Sequence, residues 1–142
     1  MTMWKVTVAP DENLDAWQTY VQQGIIAIGW PERRYDSESQ VVRFRQISRG
    51  DWVVAHVPPS HGGAPATAKG IGQVIGDYYE VKRSELPAGD GWSGAFRRQY
   101  RVRWTLGDKP LRGILNSGHF RQSCILLPDE LERRILEPYR LG

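Results

Sequence analysis

The sequence predicts an α+β domain built around a small, curved or closed β-sheet. The chain has 142 residues, of which 40% are hydrophobic, so residues 1–142 suffice for one domain with one core. Six or seven short apolar segments have strand character, and helical spacing occurs only after the first of them and near the carboxyl end. A doubly wound parallel sheet would need a helix between most strands, so that class is disfavoured.

Composition excludes several other classes of protein. Charged residues make up 25% of the chain and the formal net charge is +3, which is typical of an ordinary globular domain with a mild basic bias. A single cysteine, Cys124, cannot form a disulfide within the chain. The amino terminus does not resemble a secretion signal, and no apolar run approaches the roughly 20 residues that cross a bilayer. We therefore expect a soluble cytoplasmic protein with no membrane partner.

The first half of the chain predicts one helix among strands. Residues 3–8 alternate between apolar side chains and Lys5 or Thr7, which is typical of a half-buried strand. Residues 14–23 have apolar side chains at helical spacing, and Gly24 suits the end of that helix. The further strands predicted in this half are residues 25–28, 41–44 and 51–57.

The second half predicts a loop, three strands and a closing helix. The loop spans Pro58 to Lys69, and the strands are residues 70–74, 100–104 and 123–127. A last helix opens at Pro128 and Asp129 and has its core stripe at Leu131, Ile135 and Leu136. The glycines at positions 70, 72 and 76 miss the spacing of a dinucleotide-binding loop, so we interpret them as close backbone packing or a bulge.

The excess positive charge lies in the second half of the chain. Residues 1–71 have seven basic and seven acidic side chains, whereas residues 72–142 have twelve and nine. The most basic window consists of Arg97, Arg98, Arg101 and Arg103. Within it, Arg101 and Arg103 alternate with apolar residues, which predicts that they face solvent on one side of a strand. Such a face suits a polyanion.

The ionisable residues give little sign of catalysis. The three histidines stand apart without ligand spacing, and one cysteine cannot build a zinc site, so we expect no metal and no cofactor. Cys124 and His119 could act as a nucleophile and its base, but Cys124 lies in a predicted core strand. A buried structural thiol is the favoured interpretation.

Two tryptophans lie in loop sequence rather than in predicted core elements. Trp30 follows a strand, between Gly29 and Pro31, and Trp92 stands among small residues at 90–94. Two such rings could form a slot for a flat ligand, because stacking a base on an aromatic side chain is worth about 1 to 3 kcal/mol. Alternatively, both rings fold back and plug the ends of the sheet.

Several segments in order along the chain resemble EVE and YTH domains of the PUA-like superfamily. These are Trp4 to Asn13 with the helix after it, Gly24 to Trp30, Ile47 to Val54, Gly70 to Val74, Gly91 to Ser93, and Tyr100 to Trp104. Together they cover residues 4 to about 137. Each motif alone is weak, whereas their shared order and spacing are moderately specific.

The resemblance implies a PUA-like barrel that accepts a modified base, flipped out of its strand, in an aromatic pocket. Trp30 matches the first cage tryptophan of YTH domains, and Trp92 matches a tryptophan of the second cage element. Asn13 matches a polar residue that contacts the base edge in some members, and it could equally cap the first helix. Ala9 and Pro10 depart from the polar or acidic pair of many relatives. The residues expected to contact the nucleic-acid backbone are Arg97, Arg98, Arg101 and Arg103.

These observations predict a non-enzymatic reader of modified bases in DNA or RNA, with DNA favoured for a prokaryotic source. A nuclease or ATPase encoded elsewhere could be its partner. One alternative is a small PUA-like enzyme, a modified-nucleoside hydrolase or a nuclease, for which Asp77, His56 and Lys69 are the candidate polar groups. A third reading is a protein-interaction module that uses the tryptophan-rich surface.

Overall fold

The structure is a computed structural model that describes residues 2–8, 16–28, 35–57, 66–81, 98–111, 113–115 and 124–139. Its helices are α1 (Ala16–Gln23), α2 (Tyr35–Arg45), α3 (Asp129–Leu136) and a 3-10 helix (Glu137–Tyr139). Its strands are β1 (Met3–Thr7), β2 (Ile25–Ile28), β3 (Trp52–Val57), β4 (Thr67–Val74), β5 (Tyr79–Glu80), β6 (Arg98–Pro110) and β7 (Cys124–Leu127). The predicted α+β class is confirmed.

The described strands form one curled, mixed sheet. Its order is β2, β6, β4, β3, β1, β7, and β5 pairs with β6. Strands β1 and β3 run parallel, and all the other pairs of described strands are antiparallel. Ile26 of β2 and Cys124 of β7 lie on opposite edges of the sheet yet belong to one hydrophobic cluster. Since a flat sheet keeps its edges apart, the sheet must curl around this cluster, as predicted.

A second hydrophobic cluster covers the other face of β1. It includes Met3, Val54 of β3 and Ile135 of α3. Lys5 shares this face and is 0% exposed. The prediction of a half-buried strand was therefore wrong: α3 returns from the far end of the chain and covers the face that alternation assigned to solvent.

Helix α2 occupies the segment in which residues 41–44 were predicted to be a strand. Gln40, Phe44 and Ile47 are buried at spacings of four and three residues, which is the helical period. Val42, two residues before Phe44, is 55% exposed, whereas a strand would have placed both on one face. The strand prediction was wrong because a short apolar run does not itself distinguish the two periods.

The remaining elements agree with the sequence in type and differ in their ends. Strand β4 begins at Thr67, so the predicted loop is too long at its carboxyl end. Strand β6 extends over 13 residues, because both β2 and β4 pair along it. Strand β5 was not predicted. The helix before Gly24 and the closing helix are confirmed over their described residues, while Leu14 lies outside them.

Gly70 and Gly72 let β4 approach its neighbours closely, as predicted. A Cβ atom at Gly70 would lie 2.8 Å from the carbonyl oxygen of Thr105. A Cβ atom at Gly72 would overlap the Val102 side chain and lie 2.9 Å from the ring of Trp104. The β4–β6 register also shifts between Ala68 and Gly70, which is the expected bulge.

Candidate functional site

The segments that contain Trp30 and Trp92 join the sheet at the same place. Ile28, the last residue of β2, pairs with Arg98, the first residue of β6, and Glu80 of β5 pairs with Arg98 from the other side. Trp30 follows Ile28 by two residues in the sequence, and Trp92 precedes Arg98 by six. Three strands therefore begin or end together at the candidate site.

Four residues assigned from the sequence to this site or to the nucleic-acid backbone lie outside the described residues. They are Asn13, Trp30, Trp92 and Arg97. The proposed cage is thus known here through the strands beside it. Arg98, Arg101 and Arg103 are described, and all three lie on β6.

An aromatic cluster forms the inner side of this end of the sheet. The ring centroid of Tyr100 lies 4.9 Å from that of Phe44 and 5.7 Å from that of Tyr78. The hydroxyl of Tyr100 donates to the backbone carbonyl of Phe44 at 2.7 Å. Burial raises the pKa of Tyr100, so the phenol remains a donor over the physiological range. This bond holds α2 against β6 beside the candidate site.

A polar network forms the rim next to these rings. Tyr78 donates from its hydroxyl to Glu80 Oε1 at 2.7 Å, and Arg45 pairs with the same oxygen at 3.2 Å. Partial burial raises the pKa of Tyr78. The pKa of Arg45 is also raised, because Arg45 forms a hydrogen bond with the Tyr78 hydroxyl. The neutral phenol and the charged guanidinium thus share one carboxylate. Sequence analysis missed these residues, because strand β5 is only two residues long.

The outer face of β6 carries exposed basic groups. Arg101 and Arg103 are both exposed, as the alternation predicted. The guanidinium of Arg101 lies 5.9 Å from the ring centroid of Tyr79, whose hydroxyl donates to Gln99 Oε1 at 2.6 Å. An arginine over an aromatic face keeps its donors free to point outward. This face can therefore attract a phosphate backbone.

Arg98 does not lie on that exposed face. It is 3% exposed, and its position in the strand gives it the side of Tyr100 and Val102 rather than that of Arg101. A phosphate cannot reach a side chain that is so completely covered. We therefore leave Arg98 out of the backbone-contacting set, and alternation counted back from Tyr100 would have found this from the sequence.

The same curled sheet occurs in solved structures of known proteins. It matches the YTH domain of Zygosaccharomyces rouxii MRB1, solved in complex with N6-methyladenosine RNA, with a TM-score of 0.56 and 14% identity over 99% of this chain and 87% of that one. The chain therefore has a YTH-like fold. It also matches human THYN1 in complex with 5-methylcytosine-containing DNA, with a TM-score of 0.59 and 12% identity over 100% and 99% of the two chains.

A hypothetical protein from Leishmania major shares the YTH-like fold as well. The TM-score is 0.61, with 14% identity over 98% of this chain and 94% of that one. No protein-family model and no curated protein matches the sequence. The PUA-like architecture implied by the sequence resemblance is confirmed at the level of the fold.

The three polar residues considered for an enzyme do not converge in this YTH-like fold. His56 pairs with Ala68 near the start of β4, whereas Asp77 follows the other end of that strand, beyond Val74. Six residues of strand separate these ends by about 20 Å. Lys69 and Asp77 each form a surface ion pair, with Asp108 at 3.2 Å and with Arg49 at 3.5 Å respectively. A shared catalytic site for the three residues is thereby excluded in this conformation.

Cys124 is the buried thiol that the sequence favoured. It is 0% exposed, and burial raises its pKa to about 12, although the nearby Lys5 ammonium opposes the shift. The thiol stays protonated and makes a poor nucleophile. His119, its suggested base, lies outside the described residues. Among the residues that the structure describes, no group of three or more His, Cys, Asp or Glu side chains could hold a metal ion.

None of the described helices has the length and apolar character needed to cross a membrane.

Lys5 and Thr7 of β1 and His56 of β3 form a row of polar side chains beside the second hydrophobic cluster. Lys5 Nζ donates to Thr7 Oγ1 at 3.2 Å, and Thr7 Oγ1 lies 3.2 Å from His56 Nδ1. Burial lowers the pKa of Lys5 to about 8 and that of His56 to about 3, with the Lys5 charge adding to the effect on His56. At neutral pH the imidazole is therefore neutral, and the Thr7 hydroxyl can donate to Nδ1.

We expect His56 to make the protein less stable as the solution is acidified. The unfolded chain protonates His56 near its ordinary pKa of 6.5, whereas the folded chain does so only near 3. Between these values the unfolded state binds more protons, so the free energy of unfolding falls as pH falls, by up to about 1.4 kcal/mol per pH unit. Urea denaturation from pH 7 to pH 4 measures the slope.

The His56→Gln variant is the control for the pH dependence of the free energy of unfolding. Glutamine retains a hydrogen-bonding group beside Thr7 and takes up no proton. The difference between the variant and the wild type isolates His56 from the carboxylates, which contribute equally to both proteins. Parallel curves between pH 6.5 and pH 4 would contradict the assigned shift.

Proposed function

We propose that this protein is a non-catalytic nucleic-acid-binding module that takes a modified base into an aromatic pocket at the β2–β5–β6 end of the sheet. The observation that carries the proposal is the pairing of Ile28 with Arg98. Because of that pairing, the segments that contain Trp30 and Trp92 connect to adjacent strand ends, beside the aromatic cluster of Phe44, Tyr78 and Tyr100. Two proteins with this fold, MRB1 and THYN1, were solved with methylated RNA and methylated DNA, which supports this class of ligand.

The chemistry of the pocket explains how a methyl group would be recognised. An aromatic slot gains about 0.8 kcal/mol for each buried methyl carbon and about 1 to 3 kcal/mol from stacking the base. Flipping the base out of its strand costs a few kcal/mol, which these contacts must offset. In this proposal Trp30 and Trp92 provide the stacking surfaces, and Asn13 contacts the edge of the base.

The exposed face of β6 would hold the strand from which the base is flipped. Arg101 and Arg103 would contact phosphates there, and Arg97, which directly precedes β6 in the sequence, would be a third phosphate contact. Phosphate contacts supply affinity without sequence information, and they make binding depend on salt. A nuclease or an ATPase that binds beside this module would act on the nucleic acid that the module has bound.

The test is binding of labelled oligonucleotides that carry one modified base. Fluorescence anisotropy would measure the Kd of DNA and RNA strands with adenine, N6-methyladenine, cytosine or 5-methylcytosine at one position. We expect one modified strand to bind more tightly than its unmodified counterpart. Trp30→Ala and Trp92→Ala should each weaken that complex about 5- to 100-fold, since each removes a stacking surface.

Arg101→Met provides the matched control on the exposed face. Loss of one phosphate contact should weaken all strands by a similar factor and reduce the slope of log Kd against log salt by about 1. Preference for the modified base should survive in this variant. Tryptophan variants that discriminate like the wild type would overturn the proposal, as would the absence of binding to every strand.

A further inference from the structure

Tyr79 and Arg101 form a stacked pair on the exposed face of β6. The guanidinium carbon of Arg101 lies 5.9 Å from the ring centroid of Tyr79, and the Tyr79 hydroxyl donates to Gln99 Oε1 at 2.6 Å. Tyr79 and Gln99 pair directly across β5 and β6. Since Gln99 and Arg101 are two residues apart in β6, all three side chains lie on one face of the sheet. The ring of Tyr79 is thus held in place beneath an exposed guanidinium.

The positive charge of this face is not neutralised by a neighbouring carboxylate. Arg101 and Arg103 are both exposed, and neither forms an ion pair within the part of the chain that the structure describes. Glu80 follows Tyr79 in β5, so its side chain lies on the opposite face, where it pairs with Arg45. The face of Arg101 and Arg103 therefore remains attractive to an anion.

A guanidinium that is stacked on a ring still has a second flat face. Its N–H donors lie in its own plane, so they can reach a phosphate while that second face stays open to another planar group. The unpaired bases of single strands stack on arginine planes and on aromatic rings. In a duplex the neighbouring base pairs already cover both faces of each base, so a duplex offers such a surface only its phosphates.

We propose that Tyr79 and Arg101 form a stacking platform for one unpaired base of a single-stranded nucleic acid, and that Arg103 contacts a phosphate of the same strand. This inference rests on the proposed nucleic-acid binding and names the kind of partner, a single strand rather than a duplex. Arg103 lies on the same face as Arg101, about 7 Å further along β6. The platform requires a base but no modification of it, and it uses no residue of the aromatic pocket.

Arg101→Lys and Arg103→Lys are the matched pair of variants that test the platform. Both substitutions keep the charge and lose the guanidinium plane, but of the two arginines only Arg101 lies over a ring of a described residue. Anisotropy titrations would compare an unmodified single strand, its duplex, and a strand of the same length in which abasic sites replace the bases.

We expect the wild type to bind the single strand at least about 5-fold more tightly than the duplex or the abasic strand. Arg101→Lys should reduce this preference by about 5-fold or more, whereas Arg103→Lys should preserve it. The duplex and the abasic strand should bind both variants as they bind the wild type, because their contacts with this face depend on charge alone.

Substitution of Tyr79 provides a second measurement. Tyr79→Leu removes the ring under the guanidinium and should resemble Arg101→Lys, whereas Tyr79→Phe keeps the ring and should restore most of the preference for the single strand. Thermal melting shows whether each variant folds. If Tyr79→Leu does not fold, Arg101→Lys decides the question, since the side chain that it changes is exposed.

Equal binding of all three strands by the wild type would overturn this inference, because a surface that is only basic responds to charge alone. A folded Arg101→Lys variant with the wild-type preference would overturn it as well. In both cases the proposed function stands if Trp30→Ala loses the preference for a modified base. If Arg101→Lys loses the single-strand preference while the tryptophan variants discriminate like the wild type, this inference is supported and the aromatic pocket is refuted. If no strand binds, both fail.

Discussion

Replacing Gly72 with alanine is expected to lower the free energy of unfolding by about 3 kcal/mol, the upper part of the range for overpacking a core. The new Cβ would overlap Val102 Cγ1 and lie 2.9 Å from Trp104 Cε3. Neither neighbour can retreat easily, since Val102 is 3% exposed and Trp104 donates from its indole nitrogen to the carbonyl of Ile25 at 3.1 Å. Urea denaturation followed by tryptophan fluorescence measures the loss.

Gly76→Ala is the matched control for this substitution. A Cβ there meets only the Arg101 Cβ, at an ordinary 3.6 Å. Removing a glycine also restricts the unfolded chain, so this variant should be as stable as the wild type or slightly more stable. Equal stability losses at the two positions would show that close packing of β4 on β6 is not what requires glycine at position 72.

Replacing Phe44 with alanine should cost about 3 to 5 kcal/mol, the usual range for a fully buried aromatic ring. Phe44 is 0% exposed, and it packs against Tyr100 at 4.9 Å and Tyr78 at 6.4 Å between ring centroids. The cavity would open beside the candidate site, so the variant should also bind nucleic acid more weakly. Chemical denaturation gives the stability, and anisotropy gives the binding.

Val42→Ala on the same helix completes this test. Val42 is 55% exposed, so its truncation should change stability by less than about 0.5 kcal/mol. The pair also tests the type of secondary structure. In a strand, residues 42 and 44 would share a face and both substitutions would be costly, whereas a helix separates them. Similar large losses in both variants would contradict helix α2.

The strands that the sequence predicted well are those with apolar runs or alternation bounded by turn residues. Residues 25–28 lie between Gly24 and Gly29, and both the apolar run and its ends were visible in the sequence. The segment around Phe44 lacked such boundaries, since neither glycine nor proline occurs from residue 32 to residue 49. A helix needs that uninterrupted length, and residues 41–44, three of which are apolar, form too short a segment to show the helical period.

The candidate site was predictable in part. Alternation from Tyr100 correctly exposed Arg101 and Arg103, and the same alternation puts Arg98 inside, although charge clustering alone had grouped it with the exposed arginines. The rim of Tyr78, Glu80 and Arg45 could not be found, because its members come from a two-residue strand and a distant helix. Tyr78 and Glu80 approach Arg45 only because the chain folds back between α2 and β5, and no local sequence pattern predicts that approach.

Local patterns in the sequence were enough to predict the fold class, the close packing at Gly70 and Gly72, the outward face of Arg101 and Arg103, and the burial of Cys124. Each of these follows from local period or from side-chain size, which a strand imposes wherever it lies. Contacts between distant segments were needed to show that Lys5 is buried on the face of β1 shared with the second hydrophobic cluster, that Ile28 and Glu80 flank Arg98, and that both edges of the sheet share one core. These outcomes depend on contacts between residues far apart in the chain, for which local periodicity contains no information.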